Sequence, residues 1–401
     1  MAEVAPGRVD ALVDAEDGLE ARGFPAGGEV QLRSEVESAV GSWFCAATFR
    51  ADDEGTVDTA RDAPTAGDWS GVDPFGPYWS ADLQGPTHLM AEAPLAVRVT
   101  ATSGSISAEA AFTRAWRPPD VVEHDWADDG VVGRLVRPAR PSGAPGVVLL
   151  AGSGGGLGDL RAAGLLAGHG IASLAIGFWN LPGLPDDMLE IPVEVVVAAA
   201  TRLRSEPGVP DHPVTVVGVS RGGELALLAG AHLPEHVGST VSVVGSGAPW
   251  GAFGEGVDVN LPAWTLGGMP VPKLWEDERD LDAVLADGDA VRAAEVPVER
   301  TRGRVLLLSG QDDAMWPSTP LSDIAMDRAT REGAGDRVEH VAYPDAGHQV
   351  GLPPGFAVPV VLVHPVDGVT VALGGTRSGN RAARRDSWRR LVEFVRTVPK
   401  L

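Results

Sequence analysis

Lysine is almost missing from this chain: Lys273 and Lys400 are the only two, and nearly all the positive charge is arginine. Lysine and arginine together number 32 against 55 aspartates and glutamates, a formal net charge of −23. That balance speaks against nucleic acid as a partner, because phosphate binding needs a basic face. Cysteine occurs once, as Cys45, so neither an internal disulfide nor a cysteine-built metal cluster can form, and the usage fits a reducing cytoplasm. No run approaches the ~20 apolar residues of a membrane span. The segment from Met1 to Glu20 carries acids where a secretory signal would carry basic and then apolar residues, so no export is expected and the expected location is cytoplasmic. The last three residues, Pro399-Lys400-Leu401, resemble the peroxisomal S-K-L address only faintly and read as coincidence.

What is present is an ordinary globular composition, 44% hydrophobic and 22% charged over 401 residues, enough for two domains. Up to about Arg117 only short runs of alternating polarity occur, such as Gly28–Arg33, Trp43–Phe49 and Leu95–Thr102. They read as half-buried strands separated by turns. The expectation is a small β-sandwich over residues 1–120. From about Val131 the grammar changes to apolar strands alternating with helices: Gly146–Leu150, Leu160–Ala167, Ile171–Ile176, Val193–Arg204, and onward to a closing helix over Arg381–Arg396. That pattern predicts a mostly parallel sheet covered by helices, an α/β-hydrolase fold over residues 121–401, with active-site groups at the carboxyl ends of strands. Residues 249–302 interrupt the alternation with polar, tryptophan-bearing sequence and read as a lid or substrate-facing insertion.

The stretch Val214–Leu228 reads strand, sharp turn, helix, and its turn spells G-x-S-x-G as Gly218-Val219-Ser220-Arg221-Gly222. A nucleophile at the apex of such a turn needs small residues two before and two after it, where strand and helix crowd together. The turn also opens a helix, so the backbone N–H of Arg221 can face a developing oxyanion near the positive end of the helix dipole. A serine hydroxyl needs a base to take its proton, and the base needs an acid to hold its tautomer. In this fold the order is serine, acid, histidine. The strand Val305–Ser309 runs into Gly310-Gln311-Asp312-Asp313, which makes Asp313 the expected acid and Asp312 the fallback. The strand Val338–Tyr343 runs into Pro344-Asp345-Ala346-Gly347-His348, which makes His348 the expected base. His340 would lie inside its strand, and His364, within the apolar run Val358–Val366, reads as structural. The loop Gly152-Ser153-Gly154-Gly155-Gly156 lacks the lysine of a phosphate-binding loop. It reads as the source of a second oxyanion donor, Ser153 with Gly154 next, or else as a turn requiring positive φ.

These residues carry a resemblance. The chain resembles the acyl-CoA thioesterase and bile acid-CoA:amino acid N-acyltransferase family, in which a β-sandwich precedes an α/β-hydrolase domain. The resemblance rests on Gly71-Val72-Asp73-Pro74-Phe75-Gly76-Pro77-Tyr78-Trp79 in the first domain. In the second it rests on the glycine loop, Ser220-Arg221-Gly222-Gly223-Glu224-Leu225, Pro297-Val298-Glu299-Arg300, Gly310-Gln311-Asp312-Asp313 and Tyr343–His348. It implies cleavage of an acyl-CoA thioester by Ser220, Asp313 and His348, with serine typical of the thioesterases and cysteine of the N-acyltransferase. The chain departs from the family pattern at Arg221, where lysine is common, and in Gln349-Val350-Gly351-Leu352-Pro353-Pro354, where an aromatic and an acid usually precede the two prolines.

The expected activity is therefore hydrolysis of acyl-CoA thioesters through an acyl-enzyme, without a cofactor or metal. Its alternatives are acyl transfer to an amino acid or other amine, esterase action on a specialised metabolite, and an acyl-ligand binding protein. The arginines at 377, 381, 384, 385, 389 and 390 form the densest basic cluster. It reads either as a site for CoA phosphates or as a solvated helix face.

Overall fold

The structure, a computed structural model, describes residues 1–38, 41–80, 82–83, 92–128, 130–140, 143–274, 281–351, 353–355 and 360–397. Part of the 249–302 insertion and the tripeptide Pro399-Lys400-Leu401 thus lie outside the described residues. The chain divides into two compact units, Met1–Pro118 with Pro353–Leu362, and Pro119–Leu352 with Val363–Leu401.

The first unit is built from strands. The long ones, Glu29–Ser38, Gly41–Arg50, Leu95–Ser103 and Ile106–Ala115, pair antiparallel, and the short Asp10–Leu12 joins Ile106–Ala115 in parallel. A smaller sheet of Glu3–Pro6, Leu19–Arg22 and Val57–Asp58 lies against it, with Glu3–Pro6 meeting Leu95–Ser103 and Ile106–Ala115. Period-two burial aims Val30, Leu32, Val36, Trp43, Phe49, Val97 and Val99 into the core. The Gly71–Trp79 motif plugs one side of this core. Buried Asp73 accepts hydrogen bonds from the Phe75 N–H at 3.0 Å and the Trp79 indole at 2.7 Å, and the Cys45 thiol donates to the Pro77 carbonyl at 3.1 Å. A side chain at Gly76 would sit 2.4 Å from the Trp69 ring, so that position must be glycine.

The second unit holds an eight-stranded sheet. Numbered within this unit, its strands are β1 (Val122–Asp128), β2 (Val131–Arg137), β3 (Val147–Leu150), β4 (Ser173–Gly177), β5 (Val214–Val219), β6 (Val237–Val243), β7 (Val305–Gly310) and β8 (Val338–Tyr343). Their spatial order is β1-β2-β4-β3-β5-β6-β7-β8, and from β4 to β8 every neighbour is parallel. β3, β5, β6 and β7 are almost wholly buried, as strands covered on both faces must be, with the hydroxyls of Ser239, Thr240 and Ser242 buried in β6. Helix α1 (Leu160–Gly168) packs on β2 and β4, α2 (Val195–Arg204) on β3 to β5, α3 (Arg221–His232) on β5 and β6, α4 (Ser318–Arg331) on β7 and β8, and α5 (Arg377–Arg396) on β7. This is the α/β-hydrolase arrangement that the strand and helix periodicities predict.

Two elements go beyond the sequence reading. The acidic Val122–Asp128 forms the edge strand β1, where only one side pairs and charged side chains face solvent. Helix α4 has no strong apolar stripe and begins after Pro317. Leu321, Ser322, Ile324, Ala325 and Ala329 nonetheless form its buried face.

Candidate active site

β5 ends at Val219 and α3 begins at Arg221, leaving Ser220 alone at the bend with φ +56° and ψ −120°. A non-glycine residue at positive φ stores strain on the order of 1–3 kcal/mol, which the surrounding packing must hold. That packing is glycine against backbone. A Cβ at Gly218 would lie 1.9 Å from the Gly222 carbonyl oxygen, and one at Gly222 would lie 2.3 Å from the Ala151 oxygen. The Ser220 N–H donates to the Val243 carbonyl at 2.8 Å, tying the bend to the end of β6.

β7 delivers the acid. The Asp313 side chain is fully buried, and its Oδ1 accepts the N–H groups of Met315 and Trp316 at 3.0 and 3.2 Å. Its Oδ2 lies 2.7 Å from His348 Nδ1. Asp312, one residue earlier, points into solvent, and its backbone is what the fold uses, with its N–H donating to the Ala346 carbonyl at 2.9 Å. β8 delivers the histidine through a turn in which Asp345 has φ +54°, and the His348 N–H donates to the Leu373 carbonyl at 2.7 Å. Val243 touches both the Ser220 bend and the loop that follows His348. Its carbonyl holds Ser220, and its side chain lies against Gly351, where a Cβ would be 2.3 Å from Val243 Cγ1.

A carboxylate fixed on Nδ1 keeps that nitrogen protonated and leaves Nε2 as the base. Two other histidines also join a serine to an acid. His340 Nε2 lies 2.8 Å from Ser309 Oγ with Nδ1 3.0 Å from Asp323, but Ser309 is wholly buried within regular strand β7. His364 Nε2 lies 3.1 Å from Ser153 Oγ. Ser220 is distinguished from both serines by its strained bend at the mouth of a helix.

The glycine loop also approaches Ser220. A Cβ at Gly152 would stand 3.1 Å from Ser220 Cβ and 3.6 Å from its Oγ. Ser153 and Gly154 follow directly. Gly155 and Gly156 have φ +65° and +76°, so the turn requirement and proximity to Ser220 hold together.

Sequence reasoning missed three features. Trp316 donates its indole N–H to the Val244 carbonyl at 2.7 Å, packs at a tilt against Trp250 with centroids 4.8 Å apart, and stands edge-on to His348 at 6.3 Å. Its position three residues after Asp313 was the available signal. Arg221 contributes a side chain as well as an N–H. The buried guanidinium donates to the carbonyls of Trp250 and Gly251 at 3.1 and 2.7 Å, and its Nε lies 3.4 Å from Glu224 Oε2, which also accepts the Trp264 indole N–H at 2.9 Å. The start of the insertion is thus fastened to the first turn of α3. Burial pushes the Glu224 carboxyl up to about 7 against the pull of Arg221, and pushes the Arg221 guanidinium down. His364, read as structural, is the third.

In the basic cluster, Arg389 pairs with Asp386 and Glu393, Arg390 pairs with Asp386 and Glu339, and Arg384 is buried. Arg389 and Arg390 are thus paired with carboxylates on the helix face, whereas the buried Arg384 belongs to no solvated face. No group of three or more potential metal ligands occurs among the described residues, and no helix among them is long and apolar enough to cross a membrane.

Comparison with known proteins places this geometry in a family. Residues 191–398 match the "BAAT / Acyl-CoA thioester hydrolase C terminal" family, and residues 15–126 match the "Acyl-CoA thioester hydrolase/BAAT N-terminal region". Acyl-coenzyme A thioesterase 1 of Mus musculus is 30% identical over 384 residues, which are 93% of this chain and 91% of that protein. The peroxisomal succinyl-coenzyme A thioesterase of the same species is 29% identical over 93% of this chain and 91% of its own, and the mitochondrial acyl-coenzyme A thioesterase 2 is 29% identical over 93% and 84%. The chain is an enzyme of the α/β-hydrolase fold and belongs to the acyl-CoA thioester hydrolase/BAAT family.

Proposed function

We propose that the protein hydrolyses acyl-CoA thioesters through an acyl-enzyme on Ser220. The observation that carries this reading is the 2.7 Å contact between His348 Nδ1 and the buried Asp313 carboxylate, in the same unit as a serine held at φ +56° at the start of a helix. Three mouse relatives named as CoA thioesterases supply the substrate class.

In this reading His348 Nε2 takes the Ser220 proton as Oγ attacks the thioester carbonyl. The tetrahedral oxyanion is held by the N–H groups of Arg221 and Ser153. Collapse breaks the C–S bond, and the CoA thiolate leaves with the proton from His348. Water then attacks the acyl ester, gives its proton to His348, and the freed Ser220 oxygen takes it back as the carboxylic acid departs. Asp313 stays ionised throughout and orients the ring. Residues 249–302, fastened to α3 through Arg221, form the substrate-facing insertion, and Trp250 and Trp316 supply an apolar wall beside His348. The catalytic domain in this reading is 121–401. The proposed compartment is the cytoplasm, supported by the single buried thiol of Cys45.

The test is a panel of acyl-CoA thioesters of graded chain length, with and without glycine or taurine, scored for both free thiol and amide. Thiol release with free acid as the only acyl product supports hydrolysis. Amide as the main product would move the assignment to acyl transfer, and thiol release by folded Ser220→Ala at the wild-type rate would remove the nucleophile.

A further inference from the structure

His364 is 4% exposed, in the turn between the short strands Val361–Val363 and Thr370–Ala372. Its backbone is held on both sides, the N–H donating to the Val369 carbonyl at 2.8 Å and the carbonyl accepting the Gly368 N–H at 2.9 Å. The ring stands edge-on to Phe253 with centroids 5.2 Å apart. Its Nε2 reaches Ser153 Oγ at 3.1 Å, and its Nδ1 lies 3.3 Å from Asp367 Oδ1. The next residue presses on the same glycine loop, since a Cβ at Gly154 would meet Pro365 Cγ at 3.2 Å.

The two contacts at Nδ1 ask for opposite things. Asp367 needs a proton there, whereas the Val366 N–H, 3.4 Å away, needs a lone pair. In either tautomer Nε2 shares a hydrogen bond with the Ser153 hydroxyl, which can donate or accept. Burial pushes the imidazolium form down, which agrees with a neutral ring.

A loop that is glycine at 152, 154, 155 and 156 has little of its own to fix it. An oxyanion donor works only if it is already aimed, because reorganisation at the moment of reaction cancels the gain. Ser153 is the one residue in that run with a side chain that can be tethered. Resting on the reading of Ser153 as an oxyanion donor, we propose that His364, oriented by Asp367, is a positioning residue that holds the Ser153 hydroxyl and thereby aims the Ser153 N–H at the reacting carbonyl. The fixed hydroxyl locks the Ser153 side-chain torsion and the adjoining peptide plane. A misplacement of about 1 Å in a catalytic group can cost roughly 100-fold, so releasing the tether lowers kcat by about 10- to 100-fold. KM changes little, because the oxyanion forms only after binding.

The experiment uses the full chain and four variants, Ser153→Ala, His364→Ala, His364→Gln and the double Ser153→Ala/His364→Ala, with kcat and KM on one acyl-CoA and Tm for each. The expected result is a loss in kcat at constant KM for both alanine singles, and a double variant no slower than the slower single. His364→Gln, whose amide still reaches the Ser153 hydroxyl, recovers part of the rate. A merely structural role lowers Tm, gives losses that multiply, and shows no rescue, and that pattern overturns the proposal. So does wild-type kcat in Ser153→Ala, which decides the matter even where His364→Ala does not fold. Ser220→Ala is measured in parallel. If it turns over normally the parent reading fails, whereas a dead Ser220→Ala beside an unimpaired Ser153→Ala removes only the positioning role.

Discussion

The Asp313 carboxylate, wholly shielded from solvent, divides its two oxygens between the backbone and His348. One takes the N–H groups of Met315 and Trp316, and the other takes Nδ1 at 2.7 Å. The carboxylate cannot rotate away without breaking both sets, so the imidazole is held in one tautomer. Asp312 has no such place.

Asp313→Asn is therefore expected to lower kcat by up to about 10⁴, because an amide can present its NH₂ to Nδ1 and favour the wrong tautomer. Asp312→Asn should leave kcat near wild type. Steady-state thioester cleavage by both variants checks this, and a crippled Asp312→Asn would shift the acid by one residue.

Ser220 combines the proposed chemistry with strain. Ser220→Ala should remove turnover, leaving the roughly 10³–10⁴-fold residual catalysis of binding and the oxyanion donors, with little change in Tm. Ser220→Gly should also be inactive yet more stable by about 1 kcal/mol, since glycine adopts φ +56° without penalty. Thermal unfolding of the two variants side by side measures the strain.

Gly218→Ala tests the crowding behind the bend. The new methyl would fall 1.9 Å from the Gly222 carbonyl oxygen, and backbone on both sides cannot swing aside as a flexible side chain would. A loss of about 3 kcal/mol or more is expected, with turnover falling in the fraction that still folds. Denaturant unfolding with stability within 1 kcal/mol of wild type would contradict the backbone contact.

Glu224 should leave a signature in stability against pH. Its folded pKa is raised, by burial first, so its favourable contribution is complete below the ordinary glutamate range and is lost as pH rises through about 7. The stability of wild type minus that of Glu224→Gln should therefore fall between about pH 4.5 and 7 and be flat above. A difference that rises below about pH 4.5 and is flat from 4.5 to 7 would mean that Arg221 holds the carboxylate ionised throughout.

Cys45 should be inert in the folded protein. Burial pushes its thiol up to about 12, so the thiolate needed for alkylation is scarce at pH 8, and the sulfur is enclosed as well. Intact mass after iodoacetamide should show an unmodified wild type and a singly modified Ser220→Cys variant. Modification of native wild type at Cys45 would show that the first unit opens readily.

Much of the hydrolase unit was legible because its signals are local. Four-residue apolar strands, the glycines at 218 and 222, and turns after β7 and β8 each announce themselves within a dozen residues. The edge strand β1 was hidden because an edge tolerates the charges of Glu123, Asp125 and Asp128, which mimic a linker. Helix α4 was hidden because its buried face includes Ser322 and small alanines. The carbonyls that accept from the Arg221 side chain lie 29 and 30 residues away, and the hydroxyl that His364 Nε2 meets lies 211 away. No local pattern encodes which loop a buried arginine or histidine will meet.

The 211-residue span from Ser153 to His364 also sets a clock during synthesis. At roughly 5–20 residues per second, a ribosome needs on the order of 10–40 s to pass from one to the other. Throughout that interval a growing chain has its glycine loop, and soon its Ser220 elbow, but neither the His348 base nor the His364 tether. The alcohol stays an ordinary alcohol. On the proposed roles an unfinished chain is thus chemically silent toward thioesters around it, and reactivity awaits the carboxy-terminal residues that carry His348 and His364.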